Sequence, residues 1–422
     1  MRGVSGARAA AVSREAVIYN AGMNPKAHQP DSLPAPGPSA LAQSEALVAQ
    51  VRADLEAAGG WLPFDRYMER ALYAPGLGYY SGGARKFGLR GDDGSDFVTA
   101  PEMSPLFAAT LARPLAEALQ ASGTRDVMEF GAGTGKLAAG LLNALDGLGV
   151  EFDRYSIVDL SGELRERQRE TIEAAAPTLA AKVRWLDALP EQFEGVVIGN
   201  EVLDAMPVRL FAYSRGVWHE RGVVWRDEAF AFDDRLVSEA ADIALLAGLL
   251  AEIDTAGDDY LTETHDAARA FTRTICTMLT RGAAFFIDYG FPRHEYYHEQ
   301  RAQGTLMCHY RHRAHADPFV YPGLQDITAH VEFTGIAEAG VEAGADLLGF
   351  TSQARFLLNA GITETLSALD PTDTAKFLPA ANAVQKLLSE AEMGELFKVI
   401  AFSRGLDDAL QAFSSGDRSH TL

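Results

Sequence analysis

The sequence predicts an α/β fold of the doubly wound type. It is read as a mostly parallel seven-stranded sheet, preceded by a helical section and interrupted by an inserted β segment. Three observations carry this. Asp126-Val-Met-Glu-Phe-Gly-Ala-Gly-Thr-Gly-Lys136 joins a short apolar run to three glycines and then to a helical period. Four further apolar runs alternate with helical segments behind it. Two late strands close the chain, the pattern of a parallel sheet finished by an antiparallel edge.

Composition narrows the class. The 422 residues suffice for two or three average domains, or for one elaborated α/β domain with a large core. A formal net charge of -21 argues against nucleic acid as a partner. The two cysteines, Cys276 and Cys308, form no C-x-x-C pair, which fits a reducing compartment. No apolar run reaches bilayer-spanning length, so a soluble cytoplasmic protein without membrane insertion is expected. Residues Met1 to about Leu41 are rich in Ala, Pro and Ser, and residues 1–43 read as a disordered tail. Arg2, Arg8 and Arg14 amid few acids also fit a transit peptide, which would imply the mitochondrial matrix; a start at Met23 is the alternative.

Residues 44–120 form the N-terminal helical section. One helix runs from Ser44 towards Gly59-Gly60, and a second spans Pro63 to Leu72 with Tyr67, Ala71 and Leu72 facing inward. The aromatic turn Tyr73 to Tyr80 and a polar glycine loop through Gly94 follow. Ser104-Pro105 reads as N-cap and first turn of a helix reaching Leu119. This section precedes the glycine unit and is placed to cover its ligand. Thr99, Pro101 and Glu102 are therefore candidate ligand contacts, whereas the aromatics fit a packing collar equally well.

Residues 121–207 make the first half of the core. Val127 to Phe130 is a buried strand, and Leu137, Leu141 and Leu145 line one face of the next helix. Between them Gly131, Ala132, Gly133 and Gly135 let the backbone pass close beneath a ligand. A dinucleotide site wants G-x-G-x-x-G, but here the glycines run G-x-G-x-G and Lys136 stands at the third-glycine position. Glu129, at the strand end, would repel phosphates and suits a cation. The combination fits S-adenosylmethionine, with its ammonium and sulfonium, better than NAD.

The second strand, Tyr155 to Asp159, ends on an acid placed for ribose hydroxyls, with Leu160 beside it. The alternative for Asp159 is a helix N-terminal charge. The third strand, Val183 to Leu189, places Asp187 where an adenine amino group could donate. The fourth, with Val196 to Ile198 as its core, delivers Asn200, Glu201 and Asp204 to the carboxyl end, where ligands of open parallel sheets sit. Asn200 and Glu201 are counted with the cofactor contacts.

Residues 208–262 read as an inserted subdomain, because Val208 to Asp234 alternates apolar and polar with turns at Arg215-Gly216 and Arg226-Asp227. Residues 263–405 form the second half of the core. It holds a helix, Asp266 to Leu279, a fifth strand, Ala283 to Gly290, and an irregular stretch rich in His, Tyr and Arg. The strand Asp346 to Thr351, a helical insertion, the last strand Phe397 to Phe402 and a tail, 406–422, complete the chain. His309, His312, His315 and Asp317 do not fall on one helical face, so no metal site is expected. A substrate-covering lid using Tyr310, Arg311 and His315 is the preferred reading of that stretch.

Several pieces together resemble the MidA family. They are Tyr79-Tyr80, Asp96-Phe-Val-Thr-Ala-Pro-Glu102, Glu129 to Gly135, Gly199-Asn-Glu-Val-Leu-Asp-Ala-Met-Pro-Val208, Ile287-Asp-Tyr-Gly290, Gly304-Thr-Leu306 and Asp326-Ile-Thr-Ala-His330. The similarity spans roughly Trp61 to Gly405, and G-N-E-x-x-D-A-x-P is its most specific motif. The resemblance implies a class I methyltransferase core, Rossmann-like, with added helices and an inserted β segment. It also implies S-adenosyl-L-methionine as cofactor. The family is related to a mitochondrial complex I assembly factor that dimethylates an arginine in a complex I subunit, so an arginine-bearing protein is the implied partner. The oligomeric state is left open, a homodimer included. Two departures are Ala132 and Thr134, where many relatives have Pro and Arg, and Glu332 in place of a commoner Asp.

Methyl transfer from a sulfonium is an in-line displacement, so the protein's task is mostly alignment. An arginine acceptor stays protonated far above neutral pH, and carboxylates gripping it bidentately would fix its plane and localise its charge. Glu201 and Asp204 are the catalytic candidates, against the alternative of a helix-capping acid pair. His330 is a candidate proton acceptor or orienting group, against that of a buried core histidine. Two other functions remain: a scaffold that keeps the pocket without chemistry, and a nicotinamide-dependent oxidoreductase, which Lys136 and the late strands oppose.

Overall fold

Residues 33–82, 99–159, 162–252, 259–406 and 409–422 are described by the computed structural model. The chain opens with α1 (Pro38–Ala57), the two-residue β1 (Leu62–Pro63), α2 (Phe64–Tyr73), the short α3 (Ala100–Met103) and α4 (Pro105–Ser122). The core begins with β2 (Asp126–Phe130), α5 (Lys136–Gly147), β3 (Arg154–Val158), α6 (Gly162–Ala175), β4 (Val183–Leu186) and β5 (Phe193–Asn200). The insertion holds β6 (Arg209–Ser214), β7 (Val217–Arg226), β8 (Ala229–Leu236), α7 (Ala240–Glu252) and β9 (Tyr260–Thr264). The core then resumes with α8 (Asp266–Met278), β10 (Leu279–Phe291) and the one-turn α9 (Arg293–Tyr296). Short strands β11 (Met307–Tyr310), β12 (Arg313–His315), β13 (Asp326–Thr328) and β14 (Val331–Glu332) precede α10 (Phe333–Glu342) and β15 (Asp346–Ser352). Helices α11 (Gln353–Asn359), α12 (Ile362–Ser367) and α13 (Thr374–Leu388) lead into β16 (Phe397–Arg404).

The main sheet runs β15-β16-β10-β5-β2-β3-β4, with β14 added beside β10. Strands β4, β3, β2, β5 and β10 are parallel neighbours, and β16 lies antiparallel between β10 and β15. The seven-stranded sheet with an antiparallel finish is thus observed, and edge strand β15 itself runs with the parallel body. Its central strands are apolar through their middles, as in Val196 to Ile198 and Ala283 to Ile287, because both faces are covered. Val127, Val196, Ile198, Phe285 and Ile287 pack on the side of Leu111, Leu115 and Leu141 of α4 and α5. Met128, Val197 and Phe286 point the other way, onto Ile275 of α8 and Phe333 and Ile336 of α10. Period-two alternation along each strand sorts the side chains between the two layers.

The insertion forms a second, antiparallel sheet of order β1-β7-β6-β9, with β8 also on β7. Leu62 of the N-terminal section pairs with Val223. Leu47, Val51, Phe64, Tyr67 and Leu72 share one core with Leu210, Val223, Phe230, Cys308 and Ile327. The N-terminal section, the insertion and the short sheet β12-β11-β13 therefore pack as one layer against the core.

Three sequence expectations need correction. Of the tail expected over 1–43, residues 1–32 lie outside the described residues, and the rest is placed: α1 starts at Pro38, and Leu33 is buried against Tyr310 and Leu324. The stretch around residue 310, expected as an irregular substrate-covering lid, is a small sheet with buried Cys308, Tyr310 and His315. In the tail expected over 406–422, the described residues 409–422 form a strap on the core. Phe413 packs on Phe356 at 5.3 Å between ring centres, and the Arg418 N–H donates to the Phe350 carbonyl at 2.6 Å. Among the described residues, no helix is long and apolar enough to cross a membrane.

Candidate functional site

A cavity of about 750 Å³ lies at the carboxyl ends of β2, β3, β4 and β5, the position topology prescribes. Thr99, Pro101, Glu102, Glu129, Gly131, Ala132, Gly133, Asp159, Asp187, Asn200, Glu201 and Asp204 all border it.

Its first wall is the glycine turn. Gly131 and Gly135 have φ of +64° and +84°, conformations that disfavour a side chain. A Cβ on Gly135 would stand 2.9 Å from Cα of Gln168, so this glycine serves the approach of α6 to the loop. Gln168 is fully buried and ties the loop together: its amide donates to the Gly133 carbonyl at 3.2 Å and to the Asp159 carboxylate at 2.7 Å. Arg165, one turn earlier, donates to the carbonyls of Asp159 and Leu186 and, at 2.5 Å, to the Asp187 carboxylate. The Asp187 side chain is otherwise open to solvent.

Glu129 is buried, and the Tyr155 hydroxyl donates to it at 2.6 Å. Burial nonetheless pushes its pKa up to about 8, with Asp159 adding to the rise. Thr134 and Lys136 both donate to Glu102, which pins α3 over the loop.

The second wall is the turn after β5. Glu201 stands at φ +52°, a left-handed conformation for a non-glycine residue, and its N–H donates to the Ile287 carbonyl at 2.8 Å. Asp288 holds this turn. One of its carboxylate oxygens accepts from the N–H groups of Val202, Leu203 and Asp204 at 3.1, 2.8 and 3.2 Å, and the other from Tyr289 at 2.9 Å. The Tyr289 hydroxyl donates to Asp204 at 2.5 Å. The Asn200 amide donates to Glu201 at 3.0 Å, while its Oδ1 is buried without a hydrogen-bond partner. Burial, then the charge of Asp204, pushes Glu201 up to about 8; burial pushes Asp204 up to about 6. Burial, then Asp204 and Glu201, pushes Asp288 well above the usual carboxylate range.

The cavity is strongly acidic. Glu102, Glu129, Asp159, Asp187, Glu201, Asp204 and Asp326 face it, against Lys136 and Arg165 among the described lining. Both cations are already paired, with Glu102 and Asp187. Glu129, Glu201 and Asp204, raised by burial, would be returned to the charged form by a positively charged ligand and so complement one.

Three candidates are placed differently. Gly135 and His330 do not border the cavity. His330 sits behind Tyr289 and Phe291, with ring centres 5.4 Å from each, and burial with Arg301 nearby lowers it to about 3. An imidazole of that basicity is a poor proton acceptor at neutral pH. Leu160 lies outside the described residues. The proposed lid residues Tyr310, Arg311 and His315 do not border the cavity either. Among the described residues no group of three or more His, Cys, Asp or Glu is placed to hold a metal.

Sequence reasoning missed Gln168, Arg165, Asp288 and Tyr289. For Gln168 a signal existed: it falls four residues after Leu164 and four before Ile172, a polar group on the helix's inward stripe.

Comparison with known proteins agrees with this geometry. Residues 110–351 match the model of a family described as "Putative S-adenosyl-L-methionine-dependent methyltransferase". The mitochondrial protein arginine methyltransferase NDUFAF7 of Rattus norvegicus is 27% identical over 367 residues, 79% of each chain. Its Caenorhabditis elegans homolog is 26% identical over 329 residues, 72% of this chain and 74% of that one. The crystal structure of a methyl transferase candidate from Burkholderia thailandensis, bound to S-adenosyl-homocysteine, is 75% identical. It superposes with a TM-score of 0.90 over 93% of this chain and 100% of its own. The chain belongs to the MidA-like family of S-adenosyl-L-methionine-dependent methyltransferases.

Proposed function

We propose that the protein methylates an arginine side chain of a protein substrate. One observation carries the reading: the turn after β5 brings Glu201 and Asp204 to the cavity wall, while the two cations of the described lining, Lys136 and Arg165, are paired elsewhere, with Glu102 and Asp187. The relatives named as protein arginine methyltransferases support it at 26–27% identity. In this reading the cofactor's methionine part would be held by Glu129, Gly131, Ala132, Gly133 and Asn200, and its nucleoside part by Asp159 and Asp187. Thr99, Pro101 and Glu102 close over it. The bound cofactor supplies an electrophilic methyl group on a sulfonium.

The chain's own residues do the rest. Glu201 and Asp204 grip the guanidinium, fix its plane and draw its positive charge away from the reacting nitrogen. Tyr289 and Asp288 hold these two acids in place, so little reorganisation is needed at the moment of reaction. Burial and Asp204 raise Glu201 to about 8 in the free protein, a neighbouring guanidinium would return it to the carboxylate form, and that carboxylate is the base that takes up the proton released on methylation. Following the family resemblance, the acceptor is a respiratory-complex subunit or another arginine-bearing protein. Glu201→Gln tests the reading in cells lacking the wild-type gene. Loss of arginine methylation with intact S-adenosylhomocysteine binding is expected, whereas a scaffold would keep its cellular role in the variant.

A further inference from the structure

The acceptor end of the cavity has a second layer that the reading above does not use. Tyr73, the last residue of α2, and Tyr80, just beyond the following turn, both border the cavity. Their rings stack with centres 5.5 Å apart and planes 18° from parallel. Each hydroxyl is committed. Tyr73 donates to the Ala205 carbonyl at 2.8 Å, directly after Asp204, and Tyr80 donates to Asp326 Oδ1 at 2.9 Å. Asp326 opens β13, is 2% exposed and borders the same cavity. The strand's exit is pinned to the other acids, since the Ala329 N–H donates to the Asp204 carbonyl at 3.0 Å. Two layers of the molecule, the N-terminal section and the short sheet, thus meet the core at one end of the cavity.

We infer that Tyr73, Tyr80 and Asp326 form an acceptor subsite that selects a planar, delocalised cation over a compact ammonium. The inference rests on the arginine reading and deepens it by naming what sets the choice of side chain. Tied hydroxyls hold the tyrosine rings rigid, and a rigid aromatic wall favours a flat guanidinium, which is weakly hydrated and stacks. Three carboxylates, Glu201, Asp204 and Asp326, provide more acceptor oxygens than an ammonium can use but suit a five-donor fork. A packing collar would account for the rings. It would not account for a buried carboxylate at the cavity wall held by one of their hydroxyls.

The test is calorimetric titration of the full chain, saturated with S-adenosylhomocysteine, with N-acetyl-Gly-Arg-Gly-amide and N-acetyl-Gly-Lys-Gly-amide. The wild type is expected to prefer the arginine peptide by about tenfold or more, and Asp326→Asn to weaken that peptide about tenfold. Tyr80→Leu, which removes the wall, should bring the two peptides to similar affinity. Tyr80→Phe keeps the ring, loses only the bond to Asp326, and should fall in between. S-adenosylhomocysteine affinity reports whether each variant is folded; if Asp326→Asn is not, the two Tyr80 variants decide. Arginine-peptide binding and preference left intact in the folded variants would overturn the subsite while leaving the arginine reading standing. A wild type that binds neither peptide, or prefers lysine, would overturn both.

Discussion

Replacing Asp288 by Ala is the perturbation that most sharply tests how the site is built. Its carboxylate accepts four backbone N–H groups, three of them from the consecutive residues Val202, Leu203 and Asp204. Alanine leaves these donors without a partner beside a buried strand, at about 1 kcal/mol or more each. The cap also holds Glu201 at a left-handed φ of +52°, a conformation costing on the order of 1–3 kcal/mol that persists only under constraint. A loss of about 4 kcal/mol of stability is expected, which for a chain of this length lowers Tm by only about 4–5 °C. The functional effect is larger. With the turn relaxed, Glu201 and Asp204 move off the acceptor, and a displacement on the order of 1 Å costs about 100-fold in methyl transfer. Asp288→Asn keeps one oxygen towards the three donors and turns an amide towards the Tyr289 N–H, so it should lose about 1 kcal/mol and most of the rate. Denaturant unfolding and single-turnover methyl transfer measure the two effects. Asp288→Ala within about 0.5 kcal/mol of wild type, with transfer intact, would refute the capping argument.

Other outcomes follow from the same geometry. Glu129, at about 8, is raised above its ordinary 4.5, so its contribution to stability is full below about 4.5 and lost as pH rises through about 8. The cofactor-free protein should therefore melt lower at about pH 9 than at about pH 6, and Glu129→Gln should flatten that slope in thermal melts. Gly135→Ala must hold φ +84° with its Cβ 2.9 Å from Gln168. It should cost about 1–2 kcal/mol and weaken S-adenosylhomocysteine, because Gln168 also positions Asp159. Tyr289→Phe removes the donor that lowers Asp204, so the acid limb of the methyl-transfer pH profile should move upward from about 6.

Much of the scaffold is legible locally. The run Val127 to Phe130, the three glycines and the Leu137, Leu141, Leu145 stripe state a βα unit without help from elsewhere, and the late strands 346–351 and 397–402 announce the antiparallel finish. The residues at strand ends are legible too, because topology alone sends them to one side of the sheet. What is not legible depends on pairing. Asp288 reaches the Glu201 turn because β10 lies beside β5 with Ile287 opposite Asn200, a register that the motif Ile287-Asp-Tyr-Gly290 does not state by itself. The two-residue β1 has no period to detect, yet its pairing with Val223 joins the N-terminal section to the insertion. His330 looks chemical in a sequence and is shielded in space, because Tyr289 and Phe291 stand around it.

The most direct test of the account is a calorimetric titration of the purified protein with S-adenosylhomocysteine, with NAD in parallel. The acidic cavity predicts saturable one-site binding of the first and no heat from the second. Binding of NAD, or silence from S-adenosylhomocysteine, would contradict the assignment of the cavity around Glu129.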